Sequence, residues 1–412
     1  MSQCPVSVVV VSRERPAALR LCLKGLSQQM HPAFEIIVVA DPGGIAAAEA
    51  LPFAEHLKLV PYQDANISAA RNRGIAAATG EVVAFIDDDA VAEPTWLWHL
   101  TAPFAEPRVA AAGGFVRGRN GIAFQWRAQS VDRLAQTRAL EVTGDRPVVL
   151  FPNAERAIKT EGTNMAARRD ILANMGGFDP AFRFFLDETD MNLRLAADGL
   201  ATAIVPLAEV HHGYLSSERR RADRVPRDLH QMGASFAVFL RKHAPQNEQA
   251  GAWARFQAEQ RRRLVSHMVA GRLEPGAVRR LLRGLRTGWQ DGQARELRSQ
   301  PPLPRAAEGF RPFPGRPGGR SVLISGRIWR RQALRRKAAE LAASGRIVTL
   351  MLFSPTALYH RVRFREAGYW EQSGGLFGRS EREQPLFRFW RFGRRVRQER
   401  RRVAMQRGLP DE

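Results

Sequence analysis

The 412-residue sequence is short of cysteine, of acidic residues relative to basic ones, and of long apolar runs. Its two cysteines, Cys4 and Cys22, cannot build a disulfide framework and lack metal-ligand spacing, so neither a cysteine-stapled fold nor a thiolate metal centre is expected. Cys22 reads as core and Cys4 as incidental. No apolar stretch approaches the roughly 18 residues that cross a bilayer. The start MSQCPVSVVVV has no basic segment ahead of its apolar run, as a secretory signal would. A cytoplasmic chain is therefore expected, at most peripheral on the inner face of the membrane. With 41 acidic against 63 basic residues the net charge is +22. The excess lies mainly after Leu215, where arginines cluster; such a surface suits polyanions. Hydrophobic content of 44% with 8% aromatic residues excludes a disordered chain. Also absent is glycine from SRERPAALR, the segment after the first apolar run, where a nucleotidyltransferase would need a glycine-rich phosphate loop.

What is present is an alternation of short apolar runs with amphipathic segments. Val6 to Val11 is the kind of run that fills a parallel strand covered on both faces. After it, Leu19, Leu23 and Leu26 share one helical face, and Pro16 sits where a first turn tolerates it. Glu35 to Asp41 is a second strand that stops at Pro42-Gly43-Gly44, and Leu57 to Val60 a third. Ser68 is placed to cap the helix of SAARNRGIAAATG, which Gly80 closes before Val82 to Ile86, a fourth strand. This alternation predicts a doubly wound α/β sheet with helices on both faces, whose ligands bind beyond the carboxyl ends of the strands.

Further along, VAAAGGFVRG predicts a fifth strand, Phe124 to Phe151 a helix and then a loop, and GTNMAARRDIL a short strand and a helix from about Arg169. Asp187 to Ala197 predicts a helix stopped by Gly199, and Ala201 to Pro206 another strand. Basic helices broken at Glu274-Pro275-Gly276 follow. QPPLPRAAEGFRPFPGRPGGR has linker composition, and SVLISG onward repeats a strand, helix, strand pattern. The expected division is a sheet domain over 1–215, a basic, mostly helical extension over 216–300, a Pro/Gly/Arg-rich linker over 301–320, and a small basic α/β appendage with its tail over 321–412. The tail RFWRFGRRVRQERRRVAMQRG interleaves arginine with aromatics; it suits a solvated helix, an anionic membrane surface or, least expected, nucleic acid.

Two acidic knots carry the chemistry. Asp87, Asp88 and Asp89 follow the fourth strand directly. Like charges near 4 Å cost about 4 kcal/mol per pair at an effective dielectric of about 20, and a hard divalent cation with oxygen ligands would offset that. A turn and a helix cap would account for one or two of the three, not all. Arg71 and Arg73 precede the knot on the helix, either reaching the same edge or lying on a solvated face. The second knot is FFLDETDMNLRL: Asp187 and Glu188 fall in the first helical turn, where the dipole favours anions, and Asp190 pairs with Arg194 four residues on. Of the adjacent His211 and His212, one is a candidate third metal ligand.

In order, PVSVVVVSRERPAALRLCLKGL, EIIVVAD, NISAARNRGIAAATGEVVAFIDDDAVAEPTWL, GTNMAARRDIL, GGFD and DETDMNLRL resemble the inverting family 2 glycosyltransferases, which have the GT-A fold. The likeness spans about residues 5 to 215. It implies a nucleotide-sugar donor, a sugar, lipid-linked or protein acceptor in polysaccharide or glycoconjugate synthesis, and Mg²⁺ or Mn²⁺ as cofactor. By resemblance, Asp41 sits where the family contacts base or ribose. Asp87 and Asp89 match its Asp-x-Asp motif, the first facing the donor, as Asp88, Arg71 and Arg73 are also expected to, and the second holding the metal. Asp187-Glu188 matches the acidic pair that provides the base, in reversed order, and Glu188 is favoured by position. Arg194 fits the arginine that closes this motif, and His212 lies near where some members place a metal-binding histidine. The rival expectations are a nucleotidyltransferase and a non-catalytic RNA- or membrane-binding protein on the same scaffold.

Overall fold

A computed structural model of the chain describes residues 4–213 and 218–410; the expected boundary between 215 and 216 lies outside the described residues. The first four crossover strands form where the apolar runs placed them: β1 (Val6–Ser12), α1 (Pro16–Leu26), β2 (Phe34–Ala40), α2 (Pro42–Glu49), β3 (Leu57–Pro61), α3 (Ile67–Ala77) and β4 (Val82–Asp87). Pro42 both ends the second strand's reach and opens a helix, since its fixed φ suits a first turn. Asn66, not Ser68, caps α3, accepting from the Ala69 amide at 3.1 Å. Ser68 is the second residue of the helix and donates to the Phe182 carbonyl at 2.6 Å.

The chain continues through β5 (Ala90–Ala92), α4 (Trp96–Thr101) and β6 (Val109–Arg117). Between Phe124 and Leu150, where a helix was expected, there are instead four short strands, β7 (Phe124–Trp126), β8 (Gln129–Asp132), β9 (Thr137–Ala139) and β10 (Val148–Leu150). Their side chains find a partner only across strands, so no helical period is imprinted on the sequence. Then follow β11 (Arg156–Lys159), β12 (Asn164–Arg168), α5 (Arg169–Asn174), α6 (Asp187–Ala197) and β13 (Ala201–His212). β13 outruns its expected end at Pro206 because the register shifts between Val205 and Val210 absorb the proline, after which the strand pairs with β5.

The main sheet runs β10-β13-β6-β12-β4-β1-β2-β3. β3, β2, β1 and β4 are mutually parallel and β12 is antiparallel to β4 and β6, which makes the sheet mixed. Apolar clusters bury both faces, one around Val8, Leu19 and Trp96, the other around Val9, Phe85 and Met191.

The basic extension is helical: α7 (His230–His243), α8 (Gln246–Val269) and α9 (Pro275–Ala294), packed through Phe236, Phe239 and Leu285 onto Phe182 and Leu186 of the first domain. Residues 301–320 lack regular structure but act as a strap. The amide of Phe313 donates to the Phe34 carbonyl at 2.7 Å, and its ring lies 5.3 Å from that of Phe34. The appendage holds β14 (Ser321–Arg327), α10 (Arg331–Ala343), β15 (Ile347–Ser354), β16 (Arg361–Arg365), β17 (Tyr369–Gly375) and α11 (Phe392–Arg407). Its sheet order is β14-β15-β17-β16. The expected strand, helix, strand pattern is there, with two further strands, β16 (RVRFR), which its arginine alternation hid, and β17 (YWEQSGG).

Candidate active site

One cleft of about 930 Å³ opens at the carboxyl ends of β1 and β4, lined by Asp87, Asp89, Arg71, Asp187, Glu188 and His212 among others. The three aspartates separate in role as soon as β4 ends. Asp88 turns inward and is wholly buried, accepting from Ser12 Oγ at 2.7 Å and lying 2.6 Å from the Arg15 guanidinium. Burial pushes its carboxyl up to about 7 against the pull of Arg15. Expected to face the donor, Asp88 instead fixes the loop, because the turn that follows β4 sends its side chain inward to Ser12 and Arg15.

Asp87 and Asp89 point outward and meet His212, whose strand is delivered alongside by the β5–β13 pairing. Nε2 of His212 lies 3.1 Å from Asp89 and 3.9 Å from Asp87. One ligand atom from each of the three falls within 4.8 Å of the others. Two carboxylate oxygens and one imidazole nitrogen converging from different strands are a donor set that fits a divalent ion. Arg15 also reaches Asp89 at 3.2 Å.

Arg71 is buried rather than reaching solvent. Its guanidinium pairs with Asp187, comes within 3.7 Å of Asp87, and lies over the Phe178 ring at 5.2 Å. This one cation ties the two acidic knots together across the cleft. Its seat requires a glycine: a Cβ on Gly162 would meet Nη2 at 2.2 Å. Asp187 is committed to Arg71; burial, opposed by Arg71 and assisted by the Glu188 charge, pushes its carboxyl up to about 8. Glu188, by contrast, is half-buried and lines the cleft. Phe185 and Leu186, just before α6, both hold positive φ, at 74° and 67°, a conformation that costs such residues energy and persists only where surrounding structure enforces it. It serves here to turn the first helical residues into the cleft.

The remaining expected residues lie elsewhere. Asp41 caps α2, accepting from the Gly44 amide at 3.1 Å and from the Glu14 amide at 3.2 Å, and is not among the lining residues. Arg73 is exposed and also outside the cleft; two positions from Arg71 on a helix, it cannot share its direction. Asp190 forms the expected pair with Arg194 at 2.9 Å, but it is buried and also binds Lys242 and His243 of α7 at 2.7 and 2.8 Å. It and Arg194 thus anchor the helical extension rather than line the site.

Several cleft residues escaped sequence reasoning. Lys159 and Glu161 pair beside Glu188, and burial, partly relieved by Lys159, pushes Glu161 up to about 7. Thr163 donates to Asp87. Only the run Glu161-Gly162-Thr163-Asn164 at a strand start signalled them. His211, the other half of the histidine pair, faces away and bonds Glu93 at 2.8 Å.

Residues 4–229 match the family described as Glycosyltransferase like family 2. The O-antigen biosynthesis protein RfbC of Myxococcus xanthus is 27% identical over 243 residues, which cover 54% of this chain and 18% of that protein. The glucosyl-dolichyl phosphate glucuronosyltransferase of Haloferax volcanii is 29% identical over 182 residues, covering 42% and 56% respectively. The aligned segments thus span between under a fifth and a little over half of these relatives. Among solved structures, the mannosyltransferase PcManGT from Pyrobaculum calidifontis in complex with GDP-Man and Mn²⁺ is 19% identical, covering 71% of this chain and 85% of that one, with a TM-score of 0.42.

Proposed function

This chain belongs to the glycosyltransferase-like family 2, and from that premise we propose that it moves a sugar from a nucleoside diphosphate to an acceptor hydroxyl with inversion at the anomeric carbon. The observation that carries the proposal is Arg71, which holds Asp87 on one wall and Asp187 on the other and so places two acidic clusters over one cleft. Asp87, Asp89 and His212 would hold a divalent ion, Mn²⁺ suiting the imidazole better than Mg²⁺. Such an ion supplies Lewis-acid neutralisation of the charge on the departing diphosphate.

The chain's own groups perform the rest. Glu188, the carboxylate of the second knot left facing the cleft, accepts the proton of the acceptor hydroxyl as its oxygen bonds to the anomeric carbon. The bond from that carbon to the phosphate oxygen breaks, and the nucleoside diphosphate leaves with the electron pair. A single displacement from the opposite face inverts the centre. Asp187 positions Arg71, and Arg15 positions Asp89. Donor, acceptor and general base are thereby held in one orientation.

The test is a panel of sugar nucleotides assayed for metal-dependent thermal stabilisation and then for nucleoside diphosphate release with candidate acceptors. Asp89→Asn should abolish metal-dependent stabilisation and transfer together, with the fold intact by circular dichroism. Full transfer by that variant would overturn the metal site, and anomeric retention in the product would overturn the displacement.

A further inference from the structure

The most exposed aromatic and leucine side chains of the appendage gather at the edge where the parallel strands β15 and β17 of its small mixed sheet end. Leu386, Phe387 and Phe389 are 70%, 60% and 74% exposed, and Leu358 is 64% exposed. Residues 385–389 form five consecutive exposed positions. The segment is held from beneath: the Arg388 amide donates to the Phe377 carbonyl at 3.0 Å, and the Phe387 and Phe389 rings lie 5.5 and 5.6 Å from that of Phe377. Leu358 belongs to the same edge, its carbonyl accepting from the Gly375 amide at 2.9 Å where β17 ends. Trp329, 67% exposed, stands just past the end of β14.

Charge selects the occupant. Between Gln384 and Gln398 there is no acidic residue, while Arg388, Arg391, Arg394 and Arg397 are all exposed. A second copy of this edge would set arginines against arginines. Bases of a single-stranded nucleic acid stack on ring faces, and the leucines at these tips offer none. Apolar tips ringed by arginine match the boundary between acyl chains and anionic headgroups. The tail helix itself does not lie on a surface in the way its arginine and aromatic content suggests. α11 buries Arg395, Glu399 and Val403, and Arg395 and Glu399 pair at 3.0 Å.

We propose that this edge docks the chain on an anionic phospholipid surface, with Leu358, Leu386, Phe387 and Phe389 entering the headgroup boundary and Arg388, Arg391 and Arg394 meeting lipid phosphates. The appendage is clamped to the first domain: Arg407 of α11 donates to both carboxylate oxygens of Glu93 at 3.0 Å. A docked edge therefore fixes the orientation of the cleft to the surface.

The experiment is co-sedimentation of the full chain with phosphatidylcholine vesicles, with and without phosphatidylglycerol, at low and high salt. The wild type should bind the phosphatidylglycerol vesicles and lose affinity as salt rises. The double variant Phe387→Ser, Phe389→Ser should bind roughly tenfold more weakly, and Arg388→Glu with Arg391→Glu should do the same and flatten the salt dependence. Melting temperature and donor hydrolysis should stay at wild-type values in both. Should the aromatic variant melt lower, the arginine pair, which leaves the rings in place, decides. Absence of wild-type binding to phosphatidylglycerol vesicles would overturn the proposal, and so would unaltered vesicle binding in these variants. Loss of binding to a single-stranded RNA oligonucleotide, with vesicle binding intact, would reassign the edge to nucleic acid.

Discussion

β4 leaves the large sheet through Asp87, Asp88 and Asp89, whereas β17 leaves the small one through Gly374, Gly375, Leu376 and Phe377. Both sheets have parallel strands at their centre, so both present a carboxyl edge where loops diverge and a ligand can enter. At the first edge, carboxylates are drawn under cover, oriented by Arg15 and Arg71 and joined by an imidazole. At the second, arginine and aromatic side chains are left outside. The difference lies less in which residues occur than in what lies behind them. Behind the aspartates stand two guanidiniums, the half-buried Arg15 just before α1 and the buried Arg71 of α3. Behind Phe387 and Phe389 stands the Phe377 ring, and their own rings stay exposed to water. Sheet geometry supplies an edge, and the packing beneath it decides whether that edge becomes a cleft or a protruding surface.

The comparison is sharpened most by splitting the acidic pair of the first edge. Glu188→Gln should lower transfer roughly 10³-fold, the scale of a lost general base, with the melting temperature unchanged. Asp187→Asn should cost about 3 kcal/mol of stability by leaving Arg71 buried with a weaker partner. Steady-state kinetics beside chemical denaturation separates the two, and equal stability with abolished transfer in Asp187→Asn would exchange their roles.

Next comes the seam between the sheets. The Glu93–Arg407 pair is buried, and the Arg407 guanidinium also lies over the Trp370 ring at 4.8 Å. Arg407→Met removes the guanidinium partner of buried Glu93, leaving it the His211 imidazole, and should cost about 3 kcal/mol, converting one unfolding transition into two if the seam is what couples the units. A single unshifted transition would show that other contacts couple the two sheets.

A third test asks whether only the first edge takes a metal. At a hundredfold excess over its dissociation constant, Mn²⁺ should stabilise the wild type by about 2.7 kcal/mol. Asp89→Asn should lose this gain in a thermal-shift titration, and Phe387→Ser with Phe389→Ser should keep it.

The smallest effect compares one buried imidazole in each unit. His31 and His360 are both held neutral, chiefly by burial, which lowers each to about 4. A histidine whose folded value is depressed leaves stability intact above the unfolded value near 6.5 and takes it away as pH falls from there toward 4. At pH 5.5 each contributes a loss of about 1 kcal/mol. His31→Gln and His360→Gln should each remove about that much of the acid slope in melting curves, and an unchanged slope in either would show that the imidazole is protonated in the fold.

Much of the fold was legible because its elements are locally encoded. The apolar runs of β1, β2 and β4, the leucines of α1 and the acid-first helix α6 stand nearly where periodicity put them. The short strands from Phe124 to Leu150 were not legible, since three-residue strands carry no period. The packed character of residues 301–320 was hidden too, because a strap held by backbone hydrogen bonds has the composition of a loop. In the cleft, Asp87, Asp89, Asp187 and Glu188 were picked out by clustering, and His212 was singled out from its neighbour His211 by the family resemblance. Arg15, Lys159, Glu161 and Gly162 were not, because each gains its place from a partner distant in sequence.

The sequence by itself determined the main strands and helices of the first domain outside residues 124–150, and that carboxylates must stand at the end of β4 and the start of α6, since both follow from side-chain periodicity and nearest-neighbour chemistry. Tertiary structure decided which of those carboxylates face the cleft. The turn after β4 sends Asp88 inward, and one guanidinium seated against Gly162 takes Asp187 and leaves Glu188 half-buried on the cleft wall. Such choices depend on distances between residues far apart in the chain, which no local pattern records.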